Sequence, residues 1–123
     1  GGFSPSLFDN IRQAVISSRM LEDGVNPSLP AEDRGVPDSR ITIHQAFYLA
    51  TAGGGDSLSL PIGRIQEGYA WDVQVIDTSS PSAKLPIFDE HEDVHDIFQK
   101  IMYLARPEHI REVWVQGDKV HSR

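Results

Sequence analysis

Only two or three segments of this chain can form strands, three others carry helical stripes of apolar residues, and nothing in the sequence supplies the faces that would cover them. A hairpin with one added strand is marginal in water, and an amphipathic helix must bury its stripe against another element. The pattern therefore points to part of a larger architecture. Length does not force that conclusion, because 123 residues with 39% apolar content could close one core if the apolar residues converged.

The helical segments are marked by local signals. Ser4-Pro5 has the form of an N-cap followed by proline at the first helical position, where the missing N–H is not needed. Leu7, Ile11, Val15 and Ser18 then recur at helical spacing with Phe8 beside them, while Asp9 near the start and Arg19 near the end suit the helix dipole. Thr42 and Gln45 form a capping box for a second helix through Ile43, Ala46, Phe47 and Ala50, which Gly53, Gly54 and Gly55 should end. Asp93 can cap a third, with Val94, Ile97, Phe98, Ile101, Leu104 and Ala105 in one stripe and Pro107 as its stop. Residues 22–40 hold Pro27, Pro30, Pro37, two glycines and scattered charge, which predicts an irregular connection. Gly63 and Gly68 lead into a strand in which Trp71, Val73 and Val75 alternate with Asp72 and Gln74. Val113 to Val120 reads as two short strands about a Gly117-Asp118 turn, and no internal repeat is visible.

Composition removes several classes of function. Eighteen acidic against eleven basic residues leave a formal charge of -7, which repels phosphate backbones and anionic lipid and makes a nucleic-acid partner an unsuitable one. With no cysteine, the chain can form no disulfide, thiolate metal site or cysteine nucleophile. No basic region precedes an apolar run, and no stretch of about 18 apolar residues occurs, so neither a secretory signal nor a membrane span is expected. The absence of an initial methionine suggests that residues precede Gly1.

Few side chains form a catalytic pattern. His91-Glu92-Asp93-Val94-His95 matches the HExxH form of zinc metalloproteases, in which two histidines one helical turn apart bind the metal. Against it, Asp93 puts a charge at an inner position, the helix is predicted to begin only there, and Ile101 stands where one subclass needs a third histidine; Glu108 or Glu112 could serve another subclass. A solvated acidic helix start is the simpler account. The Gly53-Gly54-Gly55 run lacks the lysine and the strand-before-helix context of a phosphate loop. Asp72 could be a buried carboxylate of raised pKa, or it could accept turn N–H groups, the commoner role for an aspartate opening a strand. His44 and His109 are isolated, and no serine has a histidine and an acid placed by a known motif.

Taken in order, Gly1-Gly-Phe-Ser-Pro-Ser6 with Asp9 and Ile11-Arg12, Ala46-Phe-Tyr-Leu-Ala-Thr51 with Gly53-Gly54, Gly63-Arg-Ile with Gly68, and Trp71 to Ile76 resemble guanine deaminases of the amidohydrolase superfamily. Gln99 to Leu104 and Ile110 to Gly117 extend the resemblance, which leaves out only residues 22–40 and 78–92. Trp71 departs from the pattern, since many amidohydrolases carry a small residue before the aspartate.

The resemblance implies an α/β parent: a metal-dependent (β/α)8 barrel plus a small β-sandwich. This chain would be its C-terminal part, with residues 1–57 as the last barrel helices and 58–123 as half of the sandwich, including a helix at about 93–105. It implies a zinc held by histidines and an aspartate of the parent, none of them in this chain, so neither catalytic nor metal-binding residues are expected here. The family's last-strand aspartate would lie just upstream, which puts Gly1 and Gly2 at the border of the active-site mouth. The implied reaction is attack of zinc-bound hydroxide on C2 of guanine with a glutamate shuttling the proton, giving xanthine and ammonia. The implied partners are guanine, the N-terminal part of the same protein and a second copy in a cytoplasmic homodimer. Another amidohydrolase acting on a related heterocycle, or a standalone interaction domain without chemistry, are the alternatives.

Overall fold

The computed structural model describes residues 4–79, 85–87 and 92–123, and the chain divides into two compact units, residues 1–50 and 51–123.

The first unit is a helical pair. Helix α1 (Leu7–Asp23) packs on α2 (Ile43–Ala50), and the buried residues of the pair are Ile11, Val15, Ile43 and Ala46. The predicted start of α1 is corrected by two residues: Ser6, not Ser4, is the N-cap, so Pro5 lies outside the helix. The dipole reading of Arg19 also fails, because Arg19 falls before a last turn that contains no basic residue and closes on Glu22 and Asp23. Those carboxylates stand at the negative end of the helix, where they are unfavourable alone. Arg40 answers them by pairing with both. The hydrogen bond to Asp23 first, and then the two negative charges, hold the Arg40 guanidinium above its already high ordinary range.

The connection between α1 and α2 is irregular, as its prolines predict, apart from one 3-10 turn at Ala31–Asp33. Its backbone is nevertheless tied down. Val36 N–H donates to Leu21 O at 2.9 Å, Ile41 N–H donates to Ser18 Oγ at 3.1 Å, and Arg34 braces the loop through Nε to Leu29 O at 2.6 Å. Thr42 and Gln45 form the expected capping box, each side chain accepting the other's backbone N–H at 3.1 and 2.8 Å.

The second unit opens with a correction. The glycine run does not end α2; Thr51 does, with φ -126° and ψ -97°, and Gly53, Gly54 and Gly55 lie inside a further helix, α3 (Ala52–Leu58). Gly55 is buried there, and a Cβ on it would run into the backbone carbonyl of Ile62. Close approach by Ile62, not chain reversal, is what Gly55 permits. Leu60 N–H returns to Gly55 O at 3.0 Å, and Ser59 in the left-handed region closes the helix.

Strands β1 (Val73–Ile76), β2 (Ile110–Val115) and β3 (Asp118–Ser122) form one antiparallel sheet in the order β1-β2-β3. Val73 faces Trp114 and Val75 faces Glu112, while Val115 faces Asp118 across the hairpin. The hairpin turn is Gln116-Gly117, one residue earlier than predicted, with φ 51° and 88° at the two positions. Positive φ at both central residues matches the right-handed twist of the flanking strands. Helix α4 (Val94–Leu104) lies between β1 and β2 in sequence and is followed by a 3-10 turn at Pro107–His109. The predicted stripe is only partly covered: Ala105 is buried, Ile97, Phe98 and Ile101 are half-buried, and Val94 and Leu104 are exposed, while Met102, outside that stripe, is buried.

Candidate functional site

Several of the side chains singled out in the sequence are held in structural tasks. Asp93 is the N-cap of α4, where its Oδ1 accepts the N–H groups of His95 at 2.7 Å and Asp96 at 2.9 Å. The Asp96 N–H is the largest cause holding this carboxyl below its ordinary range, with the His95 N–H and imidazole assisting. Glu92 forms an ion pair with Lys100, which also donates to Pro86 O at 2.6 Å. Two of the five HExxH positions are thus committed to the start of α4, and His91 lies outside the described residues.

Glu112, weighed as a third ligand, accepts the Trp114 indole N–H at 3.0 Å and pairs with Lys119 at 3.1 Å; the indole first and the ammonium next keep it well ionised, below its ordinary range. Lys119 also sits 4.7 Å from the Trp114 ring centroid. Glu108, the other candidate, is exposed in the 3-10 turn, and its carbonyl accepts from Arg123 at 2.7 Å.

His44 is exposed on α2. His109 is buried: its Nδ1 accepts the Arg106 N–H at 3.0 Å, its carbonyl accepts the Asp77 N–H at 2.8 Å, and its Nε2 has no hydrogen-bond partner among the described residues. Its isolation in sequence gave no sign of that burial. Asp72 takes the turn role: it accepts the backbone N–H of Gln116 at 2.7 Å.

One cluster the sequence reading passed over lies at the entry to α1. Ser4 Oγ donates to Asp9 Oδ2 at 2.8 Å and accepts the Ser6 N–H at 3.1 Å, while Arg12 pairs with the other oxygen of Asp9 at 3.1 Å. The S-x-x-D spacing of Ser6 and Asp9 was the available signal, since an acid at the third helical position commonly reaches back to the chain before the helix. Gly1 and Gly2, expected at the active-site mouth, lie outside the described residues.

Among the described residues no three His, Cys, Asp or Glu side chains come together in a way that could hold a metal ion. Nor is any helix among the described residues long and apolar enough to cross a membrane.

What these features define is a chain of helices and one small antiparallel sheet, with no metal-holding cluster among the described residues. Residues 1–120 match the Amidohydrolase family, and the chain belongs to it. Within that family the guanine deaminase of Dictyostelium discoideum is 31% identical over 98% of this chain and 25% of that protein, and the human guanine deaminase is 32% identical with the same shares. Among solved structures, a guanine deaminase from C. acetobutylicum with guanine bound in its active site superposes with a TM-score of 0.74 at 26% identity, again over 98% of this chain and 25% of that one. The chain thus spans about a quarter of the length of the relatives it matches.

Proposed function

We propose that this chain is the carboxyl-terminal part of a guanine deaminase, which hydrolyses guanine to xanthine and ammonia, and that its own residues serve the enzyme's structure and not its chemistry. The supporting observation is the superposition over 98% of the chain, at a TM-score of 0.74, on a guanine deaminase solved with guanine bound. In the reaction, water adds at C2 of the purine and the exocyclic amine leaves as ammonia; the groups that move the protons, and the zinc expected of the parent, belong to the remainder of the enzyme.

On this reading residues 1–57 are the last helices of the (β/α)8 barrel, and residues 58–123 are half of the β-sandwich. Their uncovered faces suit that role: Ile16 and Met20, one turn apart on α1, are 57% and 54% exposed, as expected of a stripe that docks on a barrel. Val115 and Val120, 47% and 61% exposed, suit a sheet completed by strands from elsewhere in the protein. Gly1 and Gly2 border the active-site mouth, and the assembled enzyme is a cytoplasmic homodimer.

The test is to express both the longer protein encoded by the same gene and the isolated 123 residues, and to follow conversion of guanine to xanthine by absorbance. The longer protein should turn over guanine in preference to cytosine, adenosine and triazines, and the isolated chain should not turn it over at all. A longer protein that prefers another heterocycle would overturn the substrate. An open reading frame starting at Gly1 would overturn the deaminase function altogether.

A further inference from the structure

We propose that Asp23-Gly24 is a site of aspartate isomerisation, that Arg40 holds it shut, and that conversion there opens the connection between α1 and α2. Every group involved lies in the first unit, so the inference does not depend on the proposed function.

Glycine leaves the peptide nitrogen after an aspartate unshielded, and Asp23-Gly24 is the one Asp-Gly pair in the sequence, which has no Asn-Gly pair. In the reaction the Gly24 nitrogen attacks Cγ of the protonated Asp23 side chain. An N–Cγ bond forms, a Cγ–O bond breaks, and the amide proton leaves with the hydroxyl as water, giving a cyclic imide. Water then adds to the main-chain carbonyl carbon of Asp23 and breaks its bond to nitrogen, so that the chain continues through Cγ. Only water enters and leaves, and nothing is oxidised or reduced.

Asp23 closes α1 with its side chain 61% exposed, so water reaches the pair. Two contacts oppose ring closure. The attacking N–H is held by Met20 O at 2.9 Å, and Asp23 Oδ1 is held by Arg40 Nη2. Turning Cγ toward the Gly24 nitrogen breaks the second contact, and a carboxylate gripped by a guanidinium is not the protonated form that loses water. Arg40 is anchored in its turn, because its Nε pairs with Glu22.

The neck of the loop decides what conversion does. A Cβ on Gly24 would run into Gly35 N, and one on Gly35 would run into Glu22 O. Two backbones that meet so closely leave no room for the extra main-chain atom of an isoaspartyl link. Conversion therefore breaks the adjoining bond from Val36 N–H to Leu21 O and frees the segment that Arg34 braces.

The experiment ages the protein encoded by the complete gene at neutral pH in heavy-oxygen water. The peptide bearing Asp23 is scored by mass for uptake of one heavy oxygen, and its isoaspartyl form is separated by chromatography. Arg40→Ala should raise the rate at Asp23 about five-fold, the upper end of what an exposed ion pair supplies. Arg40→Lys, which keeps a cation there, should stay near wild type, and Arg40→Gln repeats the test should Arg40→Ala fold poorly. Arg34→Ala, which loosens the same loop without touching Asp23, should also stay near wild type. In the wild-type protein, trypsin should cut after Arg34 sooner in converted molecules than in unconverted ones. No gain on removing the Arg40 charge, an equal gain in Arg34→Ala, or equal cutting of the two forms would overturn the inference.

Discussion

Asp72 Oδ1 accepts the backbone N–H of Gln116 at 2.7 Å across 44 residues of sequence, and beside it the Gly117 N–H donates to Trp71 O at 3.2 Å. The β2–β3 turn is thus hung on the two residues that precede β1. Gln116 needs such support, because a residue with a Cβ at φ 51° sits in a region that normally favours glycine. Asp72→Ala should destabilise the chain by about 1 kcal/mol, near the low end for a charge-assisted bond because water can reach the exposed turn. Asp72→Asn should lose less, since an amide oxygen can still accept. Thermal unfolding gives the magnitude, and amide exchange at Gln116 gives the cause; an unchanged exchange rate in Asp72→Ala would refute it.

Gly55→Ala tests the corrected role of the glycine run. In an unencumbered helix that change gains about 1 kcal/mol from propensity. Here the new methyl meets the Ile62 carbonyl, a backbone atom that can yield only by moving the 60–63 segment. The sign should reverse, with a net loss of about 1–3 kcal/mol on thermal unfolding. A more stable Gly55→Ala would show that the segment moves freely.

That same glycine run marks where sequence reasoning stopped. Asp93 and the Thr42–Gln45 box were legible because a cap is a contact between residues two or three apart, so the pattern contains both partners. Gly55 was misread because its reason lies in Ile62, across a turn that local pattern does not specify. The helix start slipped from Ser6 to Ser4 for a related cause: proline after serine mimics the motif, while the actual cap is relayed through Asp9. The turn role of Asp72 was foreseen in kind, but its partner lies in a distant hairpin. Of the site, the sequence offered isolated candidates, and Asp93, Glu92, Glu112 and Asp72 proved to be engaged in a cap, two ion pairs and a turn. The family resemblance supplied the substrate class, which no residue spacing in this chain encodes.

Stability should fall on acidification through two carboxylates. Asp93 is held below its ordinary value of 3.8 chiefly by the Asp96 N–H, and Glu112 below 4.5 chiefly by the Trp114 indole. Each has a lower pKa folded than unfolded, so its stabilisation is complete above the unfolded value and is lost as pH falls through the folded one. Melting temperature followed from about pH 7 to about pH 3 should therefore decline in the lower half of that range. Asp93→Asn, which can still cap, and Glu112→Gln should each flatten the decline. Slopes equal to the parent's would assign the acid sensitivity to other groups.

The last prediction concerns the chain in isolation. Leu7, Ile16, Met20 and Leu21 of α1 are all more than half exposed, although α1 already buries Ile11 and Val15 in the pair with α2. A helix apolar on more than one side needs more than one neighbour. On the proposed reading, the 123 residues by themselves should therefore keep helical circular dichroism, enhance the fluorescence of a dye such as ANS, and bind zinc no better than a blank. Adding the remainder of the protein should quench the dye by covering these stripes. A compact monomer that leaves the dye dark would mean that the apolar faces are satisfied within the chain, and would count against its being a portion of a larger deaminase.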